Sequence, residues 1–393
     1  MEKVRLGIIG IGNQGGNYLK SYAEGNLPEV EITCVADIDS KKFERAKKLV
    51  PGIKCFDTAQ ELFDSGCCDA VIIATPHYYH PDYVIDGMKA GLHVLSEKPA
   101  GVFTKRVKEA IEFSEKSDKT YAMMFNQRTN PFYIKLKEII DSGVYGEIIR
   151  VNWVITDWYR TQAYYDSGSW RATWAGEGGG VMLNQCPHQL DLWQWICGMP
   201  SKIRAFCHVG KWHNIEVEDD VTVYAEYPNG ATGSFITTTG EFPGANRLEI
   251  SLDKAKIICQ YNQEAKMTEL KVCELATGLK EFTATAEGGF ERPKCEWKTI
   301  DMNNEGGPQH DGVINAFAAH ILRGEPLIAE GREGIRGLTI SNAIFLSSWL
   351  DKTVDIPFDE DLFYNLLQDK IDSSTFIKEN VREQVQEDMS GTF

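Results

Sequence analysis

The sequence predicts an α/β chain in two parts: an N-terminal doubly wound parallel sheet, then an α+β part built on a large, mostly antiparallel open sheet. Three observations predict it. Apolar strands alternate with amphipathic helices from residue 1 to about 126, as in a parallel sheet covered on both faces. A glycine-rich turn directly follows the first apolar run. Beyond Arg128 longer stretches alternate apolar and polar residues, as a sheet with one buried face requires.

The parallel part places strands at 4–9, 31–36, 70–74, 92–95 and 120–125, with helices between them. Its first strand runs into Gly10-Ile11-Gly12-Asn13-Gln14-Gly15, a G-x-G-x-x-G turn, and Asp37 ends the second strand. Gly10 permits the tight turn, Gly12 lets backbone approach a pyrophosphate, and Gly15 lets the next helix pack closely with its N-terminus toward the phosphates. Strand before, helix after and an acid closing the second strand together read as a Rossmann-type dinucleotide site. The acid also selects, because a carboxylate there accepts from both ribose hydroxyls and repels a 2′-phosphate. Ile38 and Asp39 follow without an Arg, and Lys41 and Lys42 come only later, so NAD is expected over NADP. The contacts expected at this end are Gly10, Ile11, Gly12, Asn13, Gln14, Gly15, Asp37 and Ile38.

The second part places strands at 148–155, 203–209, 221–227, 233–239 and 248–252, and helices at 310–322 and 334–350 close it. One sheet face is expected against helices and the other against another subunit. The expected domains are 1–127 for the dinucleotide and 128–355 for substrate binding and oligomerisation, with 356–393 as an acidic extension.

With 42% hydrophobic and 25% charged residues over 393 positions, the chain has the makeup of a globular protein large enough for two cores. Its 41 Lys and Arg against 57 Asp and Glu leave a net charge of -16, which argues against nucleic acid or an anionic membrane as partner. No apolar run reaches the length of a membrane span, and the 6–11 stretch is too short and Gly-broken for a signal peptide, so a cytoplasmic location is expected. The ten cysteines form no C-x-x-C and match neither a zinc site nor a disulfide framework, so buried thiols and no metal are expected.

Three further segments carry an identity: Ala74-Thr75-Pro76-His77-Tyr78-Tyr79-His80, then Leu92-His93-Val94-Leu95-Ser96-Glu97-Lys98-Pro99, then Gly178-Gly179-Gly180-Val181-Met182-Leu183-Asn184-Gln185-Cys186-Pro187-His188-Gln189-Leu190-Asp191. With the glycine turn they closely resemble the glucose-fructose oxidoreductase and inositol dehydrogenase family (Gfo/Idh/MocA), over essentially residues 4–355. The resemblance implies an NAD(P)-dependent sugar or cyclitol oxidoreductase whose open sheet often forms the subunit interface, hence a homodimer or homotetramer. It implies that Lys98 is the active-site lysine and His188 the acid/base histidine. It also implies that Thr75, Pro76, His77, His80, Glu97, Asn126 and Gln127 line the nicotinamide end, with Arg128 close by.

The residue chemistry stands beside this. Hydride leaves a carbinol carbon readily only if the hydroxyl proton is removed as it goes, so a base and cationic help are both needed. Lys98 and His188 supply both types. Pro187 suits the first turn of a helix that Gly198 and Pro200 would end, placing His188 and Asp191 on one face. The Asp191 carboxylate is expected to fix the His188 tautomer. The family commonly has Asp where this chain has Asn184, and an amide orients a hydroxyl but cannot take its proton. The base is therefore expected to be His188 or Lys98 alone. His93 is expected to pack, and His77 and His80 to shape the pocket.

Between Trp153 and Trp174 lie four tryptophans and three tyrosines interleaved with charges, and 157–180 lacks a clear period, as in a binding loop. Flat rings cover the C–H face of a pyranose while carboxylate and guanidinium read its hydroxyls; the other reading is aromatic packing in a subunit contact. The substrate contacts expected are Lys98, Arg128, Asp157, Trp158, Tyr159, Arg171, Trp174, Asn184 and His188. Segments 156–174 and 184–188 are similar to a branch whose enzymes oxidise a ring hydroxyl of pyranosides, notably at position 3. The function expected is NAD-dependent oxidation of a sugar or glycoside secondary alcohol to a ketone. An NAD-dependent glycosidase acting by transient oxidation and elimination is the nearest alternative, and a non-catalytic NAD-binding sensor or assembly protein the one from another class.

Overall fold

In the computed structural model, which describes residues 3–262, 267–302, 306–378 and 381, two sheets carry the chain. The first has six parallel strands, β1 (Val4–Ile9), β2 (Val30–Ala36), β3 (Lys54–Phe56), β4 (Ala70–Ile73), β5 (His93–Ser96) and β6 (Tyr121–Met123), in the order β3-β2-β1-β4-β5-β6. The order reverses between β1 and β4, the switch point where doubly wound folds hold their ligands. β4 is Ala-Val-Ile-Ile with every residue buried, because helices cover both faces. β3 escaped the sequence reading because Lys54-Cys55-Phe56 is a three-residue edge strand with no apolar run.

The turn Asn126–Thr129 and the helix Pro131–Asp141 lead into the second sheet. Its strands are β7 (Ile148–Ile155), β8 (Lys202–Val209), β9 (Glu218–Glu226), β10 (Thr232–Thr238), β11 (Asn246–Leu252), β12 (Ala255–Asn262), β13 (Met267–Leu275), β14 (Cys295–Ile300) and β15 (Val354–Asp355). They lie in the order β14-β13-β12-β11-β7-β10-β9-β8-β15, antiparallel except for the β7–β10 pair. Alternation along β9 and β10 turns Val221, Val223 and Phe235 onto the helices Pro187–Cys197 and Gly334–Leu350, and leaves Phe206, Tyr224 and Trp297 about half exposed on the other face.

One expectation needs correction. The helix Gln309–Arg323 does not close the second part. Val313, Ile314 and Phe317 bury against Val4, Leu6 and Ile8, so this late segment returns to complete the first sheet's core. The extension after 355 is built into the same chain: the helix Glu360–Asp372 buries Phe363, whose ring stacks on Trp349 at 5.3 Å. Residues 379–380 and 382–393 of that extension lie outside the described residues. No helix among the described residues is long and apolar enough to cross a membrane. The ten cysteines are free thiols.

Candidate active site at the strand tips

The dinucleotide end is built by steric necessity. Gly10 turns with φ +86°, and a Cβ there would sit 2.5 Å from the Ala74 carbonyl oxygen. A Cβ on Gly15 would come within 2.0 Å of the Gly10 oxygen, so only glycine lets the helix Asn13–Ala23 seat on the turn. That helix begins right after Gly12 and carries no acid in its first turn, which leaves Asn13 and Gln14 at an end suited to an anion. Asp37 accepts from the Ile11 N–H at 2.8 Å and the Asp39 N–H at 2.9 Å, while Ile38 beside it is almost fully exposed. Lys42 Nζ lies 2.9 and 3.0 Å from the two Asp37 oxygens, a pairing that the separation in sequence did not announce.

At the other end, Thr75, Pro76, His77, His80, Glu97 and Lys98 follow the tips of β4 and β5. The His80 ring spans the carbonyls of Pro99 and Thr75, both at 2.7 Å, which braces the two tips together. His77 meets the Glu177 carbonyl at 3.1 Å, and Tyr18 donates to the Glu97 carboxylate. The Asn126 and Gln127 amides converge on Gln309 Oε1 at 2.7 and 3.3 Å, and His310 follows with its ring 5.9 Å from Tyr18. Gln309 holds φ +49°, an uncommon conformation for a residue other than glycine. Thr75 Oγ1, Asn126 Oδ1 and Gln185 Oε1 are buried without a hydrogen-bond partner among the described residues. Buried orphans of this kind, with the glycine cradle and Asp37, fit a polar dinucleotide such as NAD.

A network joins Lys98 to Asn184, Glu177, Tyr164 and Arg171. Lys98 Nζ donates to the Asn184 carbonyl at 2.8 Å. The Asn184 side-chain amide donates to Glu177, and its oxygen accepts from the Tyr164 hydroxyl at 3.3 Å. Arg171 donates to that hydroxyl at 2.8 Å, lies 3.5 Å from the Glu177 carboxylate, and stacks 4.4 Å over the Tyr164 ring. Burial pushes the Lys98 ammonium below its ordinary range, an effect opposed by Glu97 and Glu177 and reinforced by Arg171. His188, 2% exposed on the helix Pro187–Cys197, is pushed well below the usual imidazole range by burial and then by Lys98, so it stays neutral.

Several expected roles are corrected. Asp191 does not orient His188: both its oxygens are taken by Arg128, at 2.8 and 2.7 Å, and Gln194 adds a third bond at 3.0 Å. Arg128 therefore does not face substrate; it is buried between Asp191 and Glu333. Trp174 is 5% exposed and packs edge-on against Phe345 and Trp349, so it belongs to the core. Trp158 is also buried, while Tyr159 lies in a surface pair with Phe242, ring centroids 5.8 Å apart. Asp157 is half-buried, and burial pushes its carboxyl up to about 6. Of the aromatic loop, Tyr164 and Trp170 reach the tips instead, Trp170 lying edge-on to His77 at 5.9 Å. Tyr18, Tyr164, Glu177, Gln309 and His310 were missed as site residues. Tyr164 lay in the aromatic stretch and Glu177 directly before three glycines; Tyr18, Gln309 and His310 carried no signal in the sequence.

Residues 4–125 match the family model of the oxidoreductase family's NAD-binding Rossmann fold, and residues 133–258 match that of the GFO/IDH/MocA C-terminal domain. Over 206 residues the chain is 31% identical to the rhizopine catabolism protein MocA of Rhizobium meliloti, covering 52% of this chain and 61% of that protein. It is 26% identical over 186 residues to an alpha-N-acetylgalactosaminidase of Shewanella oneidensis, covering 44% of this chain and 40% of that protein. The chain thus spans less than two thirds of these relatives' length. The WlbA dehydrogenase of Chromobacterium violaceum, solved with NADH and UDP-GlcNAcA, superposes with a TM-score of 0.76 at 27% identity, covering 91% of this chain and 97% of that one.

Proposed function

We propose, because the chain belongs to the Gfo/Idh/MocA oxidoreductase family and gathers Lys98, Asn184 and His188 at its strand tips, that it oxidises a secondary alcohol of a sugar or glycoside to a ketone with NAD. The observation that carries this reading is the Lys98 ammonium, half-buried at the end of β5 and held 2.8 Å from the Asn184 carbonyl. NAD supplies the hydride acceptor when bound along Gly10–Gly15 and Asp37. Lys98 in its neutral form takes the hydroxyl proton at Nζ, and protonated it offsets the charge of the alkoxide. Neutral His188 offers a second lone pair to the same hydroxyl. Arg171, Tyr164 and Trp170 supply the guanidinium and flat faces that a pyranose ring needs. The half-exposed aromatic face of the second sheet supports a homodimer or homotetramer, and the lack of a long apolar helix among the described residues is compatible with a cytoplasmic location.

The galactosaminidase relative favours one second reading, in which the same residues carry transient oxidation followed by elimination of an aglycone. Incubation with NAD and a panel of free sugars and aryl glycosides separates the two. Accumulating NADH and a keto-sugar are expected here. Aglycone release without net NADH would replace this reading by the glycosidase, and NAD binding without turnover of any panel member would leave only a non-catalytic binder.

A further inference from the structure

A carboxylate that no part of the proposed reaction uses sits against its machinery. Glu177 is 1% exposed, yet it is held on every side: Oε2 accepts from the Ala172 N–H at 2.6 Å, Oε1 accepts from the Asn184 amide, and Arg171 lies at 3.5 Å. Its backbone cannot yield. A Cβ on Gly178 would strike Val102 at 2.2 Å, and one on Gly180 would lie 2.0 Å from the Glu218 carbonyl oxygen. Glu218 clamps the same turn from β9, accepting from the Gly180 and Met182 N–H groups at 2.9 Å. The turn therefore delivers the carboxylate to one place.

That place matters to Asn184. An amide has a donor end and an acceptor end, and donation to Glu177 turns the acceptor oxygen toward the Tyr164 hydroxyl. It matters to Lys98 as well, because Asn184 carries no charge. The groups facing the ammonium are the carboxylates Glu97 and Glu177, the Arg171 guanidinium and the Cys186 thiol. Around them stand the imidazoles of His77, His80, His188 and His310. Lys378 faces Glu177 and Arg171 from the end of the described chain, with Asp166 and Glu218 beyond, and of all these carboxylates only Glu97 and Glu177 face the Lys98 ammonium, so losing Glu177 leaves it with one.

Resting on the proposed reaction, we propose that Glu177 is its positioning residue: the carboxylate fixes the Asn184 amide and supplies, one side chain away from Lys98, the negative charge that position 184 lacks. The test is a set of three variants of the full chain, Glu177→Gln, Asn184→Asp and the exchange Glu177→Gln with Asn184→Asp. The first readout needs no substrate: the pH dependence of Lys98 acetylation by acetic anhydride, followed by mass spectrometry. Loss of the charge in Glu177→Gln is expected to move the midpoint of Lys98 labelling to lower pH, and the exchange variant to bring it back. The second readout is turnover: each single change is expected to lower kcat about tenfold, with the exchange variant recovering most of it and KM for NAD unmoved. An unmoved labelling midpoint in folded Glu177→Gln overturns the proposal, even if no sugar is ever turned over. Should that variant not fold, Glu177→Asp withdraws the charge by one methylene and is expected to shift labelling in the same direction by less; an unmoved midpoint there overturns it equally.

Discussion

Arg128 grips Asp191 through two parallel hydrogen bonds, Nε to Oδ2 at 2.8 Å and Nη2 to Oδ1 at 2.7 Å, with both side chains nearly inaccessible to water. Removing one member leaves the other charge buried without its counter-charge, which costs about 3–5 kcal/mol. Arg128→Met is therefore expected to lower the thermal unfolding midpoint markedly, and Arg128→Met with Asp191→Leu to lower it less. Calorimetry on the three proteins checks this. A wild-type midpoint for Arg128→Met would mean that the pair is not structural.

Lys98 is expected to carry the pH dependence. As the base it must be neutral, so kcat/KM is expected to rise with pH and level off at a midpoint below 10.5, the ordinary value of a lysine, because burial disfavours the ammonium. Lys98→Met is expected to lose roughly 10³-fold in kcat and with it that limb of the profile. An unchanged limb would assign the proton to another group.

Asp37 and Lys42 are expected to set the cofactor choice. Lys42 now spends its charge on both Asp37 oxygens. Asp37→Ser is expected to cost NAD about 10–100-fold in kcat/KM through lost hydroxyl contacts, while freeing Lys42 for a 2′-phosphate. NADP use should then rise relative to NAD. Parallel kinetics with both cofactors would expose the error if the ratio stays put.

Glu218 links the site turn to stability. Burial pushes its carboxyl up to about 8 against the Gly180 and Met182 N–H bonds, so the folded protein holds a proton that the unfolded chain releases at ordinary carboxyl pH. Its contribution is present at low pH and is lost as pH rises between about pH 5 and pH 8. Glu218→Gln keeps an acceptor oxygen, and its unfolding midpoint is expected to fall less over that window than the wild type's.

Lys378 ties the end of the described chain to the aromatic loop, donating to the Gly168 carbonyl at 2.6 Å and the Arg171 carbonyl at 3.1 Å. Lys378→Ala is expected to raise KM for the sugar several-fold by loosening Arg171, with KM for NAD unchanged. Equal effects on both constants would point to a global change instead.

By itself the sequence determined the parallel sheet, the glycine cradle with Asp37 and the placing of Lys98 at a strand tip, and it marked where the helix Pro187–Cys197 begins and ends. These follow from short-range causes: apolar periodicity, the φ that only glycine adopts freely, and proline and glycine at helix ends. Only the tertiary structure decided which partner each charge takes. Asp191 lies one turn from His188 yet pairs with Arg128, Trp174 faces the core although its loop reads as a binding segment, and Glu177 reaches Asn184 because the glycine turn folds back on itself. Buried charges choose partners by distance and desolvation in the folded state, and local spacing along the chain carries neither.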